Sequence, residues 1–199
     1  MTTRDPSRPS TPPGTAPAGA ERAVVRTLRP AEWELYREVR LRALADAPEA
    51  FGSTWERESA FPESRWRQRL EQRTTFLAVD LSVEPSVGLS VGAADGVGAP
   101  LGLAGLVPDE EDPEAAELVS MWVAPEARGR GVAELLIEAA WRQCSREGLP
   151  RLSLWVVEGN TRAERLYSRL GFSRTGRRQP VREGDPRQEI RMQRIRTDL

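Results

Sequence analysis

The sequence contains no histidine and no lysine, and its only cysteine is Cys144. The usual nitrogen and sulfur ligands of a zinc site are therefore missing, so we expect no metal. A single cysteine cannot form a disulfide within the chain. Because no histidine is present to activate Cys144, we interpret it as a small buried residue rather than a nucleophile. If the protein is an enzyme, its acids and bases must be carboxylates, phenols or water.

Strong charge of either sign and long apolar runs are also missing. The 29 basic residues, all arginine, balance 30 acidic ones to a formal net charge of -1, which gives no general reason to expect a nucleic-acid partner. We find no signal peptide and no segment long enough to span a membrane, so we expect a cytoplasmic protein without membrane contact. Residues 1–20 are rich in proline, serine and threonine and are predicted to be a disordered tail, whereas residues 21–199 are expected to form one domain.

Strands and helices alternate along that domain. Apolar runs and turn residues predict strands at 24–28, 75–80, 101–106, 117–123, 151–157, 172–177 and 190–195. Helical spacing predicts helices at 31–45, 62–72 and 161–170, and another that starts at Val132 and is ended by Gly148 and Pro150. This order, with hairpins at both ends, is typical of an α/β domain with a mixed sheet.

The most informative stretch covers residues 117–138, where a strand ends at Pro125 and a helix begins after the turn Arg128-Gly129-Arg130-Gly131-Val132-Ala133. Unpaired N–H groups and the partial positive charge of a helix start attract phosphate, and glycines let the backbone approach it closely. A P-loop is excluded because it needs a lysine, and a dinucleotide fingerprint is excluded because Glu134 stands where its third glycine belongs.

This turn instead resembles the acyl-CoA-binding motif [QR]-x-x-G-x-[GA] of the GNAT N-acetyltransferase superfamily, through Arg128, Gly131 and Ala133. A second stretch, residues 160–172, resembles the family pattern N-x-x-A-x-x-L-Y-x-x-x-G-F. The resemblance extends from about residue 23 onward and is most specific over residues 117–172. It implies a single GNAT-type α/β domain, with a mixed, mostly antiparallel seven-stranded sheet, a splayed parallel central pair and about four flanking helices.

The resemblance also implies acetyl-CoA as the acetyl donor and a primary amine as the acceptor. The backbone of the fourth strand would hold pantetheine, and the turn would hold the pyrophosphate. The cofactor-binding residues expected on this basis are Met121, Trp122, Val123, Arg128, Gly129, Arg130, Gly131, Val132, Ala133 and Asn160. Because Thr161 and Glu164 match a capping box, we expect Asn160 not to be needed as a cap.

Two residues are candidates for the chemistry. Glu117 precedes Arg128 by eleven residues, a spacing similar to that of the catalytic glutamate in histone-acetylating members, so it is the candidate base. It could equally be only the end of an acidic hairpin. Tyr167 is the candidate acid, because a phenol with a pKa of about 10 is protonated at neutral pH. Its helical spacing would also suit an ordinary core tyrosine.

The acceptor remains open, and a small amine, a protein N-terminus and a lysine side chain all fit. Acceptor contacts are expected from the loops at 48–54, which contains Phe51, Gly52 and Ser53, at 82–100 and at 178–185. The acidic run at 109–114 is interpreted as a solvated hairpin tip or as an attraction for a cationic substrate.

Two functions other than acetyl transfer are also compatible with the sequence: a non-catalytic acyl-CoA-binding module and a binding protein for another phosphorylated ligand. A homodimer is expected only by analogy with relatives.

Overall fold

The computed structural model describes residues 23–82 and 98–196 of the chain. The predicted tail at 1–20 and most of the predicted turn at 82–100 lie outside these residues. The strands are β1 (Ala23–Thr27), β2 (Thr74–Asp80), β3 (Ala99–Pro108), β4 (Ala115–Val123), β5 (Arg151–Val157), β6 (Ser173–Pro180) and β7 (Gln188–Ile195). The helices are α1 (Trp33–Asp46), α2 (Trp55–Ser59), α3 (Glu63–Glu71), α4 (Val132–Arg146) and α5 (Thr161–Arg169).

The predicted strands and longer helices are present, with ends displaced by a few residues. The short helix α2 was not predicted because its sequence WERES is mostly charged and shows no apolar period. Thr54 caps it by accepting the Arg57 N–H at 3.3 Å. Within residues 23–82 and 98–196 the fold thus has five α-helices where about four were expected.

The strands form one mixed sheet in the order β1-β2-β3-β4-β5-β7-β6. Every neighbouring pair is antiparallel except β4 and β5, which are parallel. This is the predicted arrangement, with the parallel pair at the centre. Helix α4 connects the two parallel strands, as a crossover between such strands requires.

Helix α4 packs closely on the sheet because β3 carries a glycine at the contact. A Cβ added to Gly102 would lie 3.0 Å from Leu136 Cδ1 and 3.3 Å from Val132 Cγ1. Both of these α4 side chains are buried, and so is Cys144 near the end of the helix, as predicted. The amphipathic face of α4 is therefore fixed on the central strands, and the start of the helix is held next to the end of β4.

Candidate active site

A cavity of about 1110 Å³ opens where the two parallel strands separate. The backbone ladder between β4 and β5 runs only from Ala115–Arg151 to Leu118–Leu154. Beyond Leu118, β4 continues to Val123 without β5 as a neighbour. The cavity is lined by the separated ends of both strands, the start of α4, helix α5, the loop after α1 and the hairpin between β3 and β4.

A bulge in β4 shapes the wall of the cavity. Leu103 pairs with Trp122 and Gly105 pairs with Val119, so two β4 residues, Ser120 and Met121, lie opposite a single residue of β3. Ser120 has a φ of 57°, in the left-handed region that is uncommon for residues other than glycine. An extra residue of this kind bends a strand locally. The bulge thus lies at the point where β4 leaves β5.

The turn before α4 presents unpaired N–H groups. Gly129 and Gly131 have φ values of 78° and 81°, which explains why glycine is needed at both. The first hydrogen bond of the helix runs from the Leu135 N–H to the Gly131 carbonyl at 3.1 Å, and none of the described side chains caps the helix. Within residues 23–82 and 98–196, the N–H groups of the first turn therefore lack an acceptor. The residues that carry them, Val132, Ala133 and Glu134, line the cavity together with Gly129 and Gly131.

The two arginines of this turn already have carboxylate partners. Arg128 donates to Asp46 and, through Nε, to the Val123 carbonyl at 3.2 Å. Arg130 lies 3.9 Å from Asp80, in a loose ion pair. Asp46 ends α1, 82 residues before Arg128, so no local pattern could have revealed this contact. Both arginine side chains of the turn are therefore already engaged by carboxylates.

Asn160 is the N-cap of α5, so the prediction that Thr161 caps this helix is wrong. The Asn160 Oδ1 accepts the Ala163 N–H at 3.2 Å, while Glu164 reaches back to the Gly159 N–H at 3.2 Å. Asn160 has non-helical backbone angles, and asparagine is at least as good a cap as threonine. Asn160 lines the cavity, and within the described residues its side-chain NH₂ group donates to no partner.

Tyr167 lies at the cavity wall, and its ring packs edge-on against Phe172 with 5.7 Å between centroids. Its side chain is buried, and this burial raises the pKa of the phenol to about 12. Within the part of the chain that the structure describes, the hydroxyl has no hydrogen-bond partner. The phenol is therefore protonated at neutral pH and free to donate to a group in the cavity.

Glu117 lines the same cavity and lies opposite Ser153 at the last paired part of β4 and β5. Burial, together with the negative charge of Asp109, raises the pKa of its carboxyl to about 7. Glu189 and Glu110 add to this effect, whereas the positive charge of Arg191 opposes it. A carboxyl with this pKa can exchange protons near neutral pH, which is what a general base needs.

The acidic hairpin is not simply a solvated tip. Glu110 is exposed, but Asp109 is buried and paired with Arg191, and Asp112 and Glu114 bind Arg151 at 2.6 Å. Sequence analysis missed these pairs because each joins residues that are far apart in the chain. The sequence positions of Arg151 and Arg191 do not indicate which carboxylates these arginines bind.

Of the three residues proposed in the first acceptor loop, Phe51 and Gly52 line the cavity, whereas Ser53 does not. Phe51 is buried beneath the Arg40 guanidinium, 4.6 Å from the ring centroid. A Cβ on Gly52 would lie 3.1 Å from the carbonyl oxygen of Val181, which follows β6. The loop after α1 thus packs against the loop after β6, and both loops line the cavity.

No group of three or more histidine, cysteine, aspartate or glutamate residues suited to a metal ion occurs within residues 23–82 and 98–196. Among the helices in these same residues, none combines the length and apolar character that crossing a bilayer requires.

The sheet with its separated parallel pair, next to a helix start that no described side chain caps, defines an α/β protein with a cavity between the parallel strands. A model of the Acetyltransferase (GNAT) family matches residues 41–172, more than half of the chain. The chain therefore belongs to the GNAT family of acetyltransferases.

Known proteins agree with this assignment. The chain is 30% identical over 176 residues to mycothiol acetyltransferase from Thermobispora bispora; the match covers 84% of the chain and 52% of that relative. The chain thus spans about half the length of this relative. The structure of a GCN5-related N-acetyltransferase from Kribbella flavida is similar, with 26% identity, coverage of 88% of this chain and 98% of that one, and a TM-score of 0.59.

A putative acetyltransferase from Salmonella typhimurium, solved with its cofactor acetyl-CoA, shares the fold at 16% identity. The match covers 89% of this chain and 95% of that one, with a TM-score of 0.66. This likeness supports the fold assignment alone.

Proposed function

We propose that the protein is an acetyl-CoA-dependent N-acetyltransferase that acts on a primary amine of a small molecule or of a protein. One observation carries this proposal: a single cavity contains the separated end of β4, the uncapped start of α4, Tyr167 and Glu117. Membership of the GNAT family supports acetyl transfer as the reaction class.

The residues at the cavity fit acetyl-CoA. The β4 backbone at Met121, Trp122 and Val123 has no β5 neighbour, so an amide-bearing pantetheine arm can pair with it like an added strand. The N–H groups of Val132 and Ala133 lack acceptors within the described residues, and they suit a pyrophosphate. The NH₂ group of Asn160 is a further donor. When bound, acetyl-CoA supplies an activated acetyl group as a thioester.

The chain's own residues would manage the protons. Glu117, in its ionised form, takes the proton from the acceptor ammonium so that the neutral amine can act as nucleophile. Tyr167 holds a proton at its phenol oxygen and delivers it to the departing sulfur. The raised pKa values of both groups suit these opposite roles, because Glu117 changes its charge near pH 7 and Tyr167 does not.

The negative charge of the part of the cavity around Glu117, where we expect the acceptor to bind, supports an amine substrate. Glu110, Glu117 and Glu189 all line the cavity, and none of them forms an ion pair with an arginine of the described residues. Glu189 accepts only the Gln179 amide, at 2.6 Å, and burial raises the pKa of its carboxyl. A cationic group entering this end would offset the uncompensated negative charge.

Calorimetric titration with acetyl-CoA tests the proposal. Gly131→Glu places bulk and negative charge at the uncapped start of α4 and is expected to abolish binding. Gly148→Glu is the matched control, because Gly148 follows the other end of α4, has a φ of 73° and leaves open space for a Cβ. Wild-type binding that survives in the control but not in Gly131→Glu supports the proposed site.

An amine panel then tests catalysis. Binding without acetyl transfer to any amine would point to a non-catalytic acyl-CoA-binding module. Absence of binding to folded wild-type protein would contradict the proposal, and competition assays would then seek another phosphorylated ligand.

A further inference from the structure

Asp109 is an almost inaccessible carboxylate at the start of the hairpin between β3 and β4, with a side chain only 1% exposed. It accepts the Ser153 hydroxyl, the N–H groups of Glu111 at 2.9 Å and Asp112 at 3.1 Å, and the Arg191 Nη2. These donors together lower the pKa of Asp109, although burial alone would raise it. Asp109 is therefore a fixed negative charge at neutral pH.

Arg191 is the matching fixed positive charge. Its side chain is 7% exposed, and its two terminal nitrogens donate to Asp109 and Glu111. It lies on β7 opposite Trp155 of β5, with the guanidinium 5.9 Å from the indole centroid. The pair is thus held between the hairpin and the sheet, where its charges are screened less than at the surface.

Strand register places this pair beside Glu117. Glu117 lies opposite Ser153 in the parallel ladder, and Trp155 is two residues further along β5, so all three side chains project from the same face of the sheet. Ser153 is also the residue whose hydroxyl binds Asp109. Glu110 on the hairpin and Glu189 on β7 also act on Glu117, and Glu111, which is paired with Arg191, lines the same cavity.

We propose that Asp109 and Arg191 are positioning residues that set the proton affinity of Glu117 through their opposite fixed charges. The inference rests on the proposed function, in which the ammonium of the acceptor gives its proton to Glu117 and becomes a neutral amine. Asp109 strengthens proton binding at Glu117 because it is a nearby anion, and Arg191 weakens it because it is a nearby cation. The two residues, which line the same cavity as Glu117, therefore tune the base through their charges.

Carboxyl carbon NMR of protein labelled at glutamate tests this directly. The Glu117 signal is identified by its absence in Glu117→Gln, and its titration midpoint is then followed in variants of the full chain. Asp109→Asn is expected to lower the midpoint by roughly one pH unit, and Arg191→Gln to raise it by a similar amount. Such opposite shifts would not result from a merely structural disturbance.

Two controls separate charge from packing. Ser153→Ala removes a hydrogen bond to Asp109 but no charge, so the midpoint is expected to stay within about 0.3 pH units of the wild type. Arg191→Lys keeps the positive charge and is expected to return the midpoint close to the wild-type value. If Asp109→Asn does not fold, Arg191→Gln and Arg191→Lys still test the proposal as a pair.

Shifts in the same direction for Asp109→Asn and Arg191→Gln, or no shift in folded variants, would overturn the inference. Because the NMR midpoint needs no acetyl-CoA, this failure is distinct from a failure of the proposed function. In an active enzyme, the acid limb of kcat/KM is expected to move in the same direction as the NMR midpoint, and Glu117→Gln is expected to remove that limb.

Discussion

The carboxylate of Asp46, the last residue of α1, accepts the indole N–H of Trp122 at 2.8 Å. The same carboxylate binds the Arg128 guanidinium. Trp122 belongs to the separated end of β4 and Arg128 to the turn before α4, so a single side chain of α1 ties together both parts of the proposed cofactor site. The first acceptor loop begins two residues later, at Pro48.

Asp46→Ala is expected to weaken acetyl-CoA binding by roughly tenfold, because the buried Trp122 N–H loses its acceptor, at a cost of about 1–3 kcal/mol, and the exposed Arg128 loses its ion pair. Asp46→Asn keeps an acceptor oxygen and is expected to have a smaller effect. Calorimetry measures both. Glu126→Gln is the control, since it breaks the exposed Arg42–Glu126 pair between α1 and the segment after β4. Equal affinities in Asp46→Ala and wild type would contradict the prediction.

Tyr167→Phe is expected to reduce kcat by about 10²- to 10⁴-fold, the typical contribution of a general acid. The acetyl-CoA dissociation constant should change little, because the ring and its contact with Phe172 are retained. Steady-state kinetics and calorimetry on the same preparation separate these effects. Tyr36, the chain's other tyrosine, is buried outside the cavity, so Tyr36→Phe should leave kcat unchanged. Unchanged turnover in Tyr167→Phe would rule out the acid role.

Glu58 of α2 is expected to be the most important carboxylate for stability. It is fully buried and binds Arg40 of α1 at 2.9 and 3.0 Å, and Arg69 of α3 at 2.6 and 3.1 Å. Glu58→Gln leaves Arg40 buried without its countercharge, so we expect a loss of about 3–5 kcal/mol in denaturant unfolding. Glu63→Gln, which breaks the exposed pair with Arg67, should cost less than about 0.5 kcal/mol.

The stabilisation that Glu58 provides should weaken as the pH falls. Burial alone would raise the pKa of Glu58, but the hydrogen bonds from Arg40 and Arg69 lower it to about 2, below its unfolded value of 4.5. The stabilisation is therefore complete above pH 4.5 and is lost as the pH falls towards 2. The difference in unfolding free energy between wild type and Glu58→Gln should shrink over that window. A constant difference would show that charge is not the cause.

Ionisation of Glu117 should destabilise the folded protein, whereas ionisation of Glu58 stabilises it. Its folded pKa of about 7 lies above the unfolded value of 4.5, so ionisation of Glu117 destabilises the folded protein as the pH rises through this range. Glu117→Gln is expected to melt at a higher temperature than wild type at pH 8, with little difference near pH 4.5. Thermal melts at both pH values measure this. Glu63→Gln, on the exposed side of α3 and outside the cavity, should show no such pH-dependent gain.

Local patterns were sufficient for much of the fold. The strands on either side of α4 and the glycine turn that begins this helix follow from residues close in sequence, because strand period, helix period and turn chemistry are local properties, whereas the parallel pairing of the two strands was implied by the GNAT resemblance. Helix α2 was not predicted because its burial depends on residues that are distant in sequence. Its buried face is a single glutamate, and Glu58 is buried only because Arg40 and Arg69 converge on it from other helices.

The candidate site likewise has some features that the sequence predicts and others that only the fold determines. The sequence by itself determined which residues stand at the strand ends and helix starts, and through them the GNAT resemblance. Only the tertiary structure decided what surrounds these residues. Asp46 holds Arg128 across 82 positions, and Asp109 holds Arg191 across another 82. Charge pairs of this kind depend on which elements become neighbours, and the proton affinity of Glu117 depends on the second pair, so neither can be obtained from spacing along the chain.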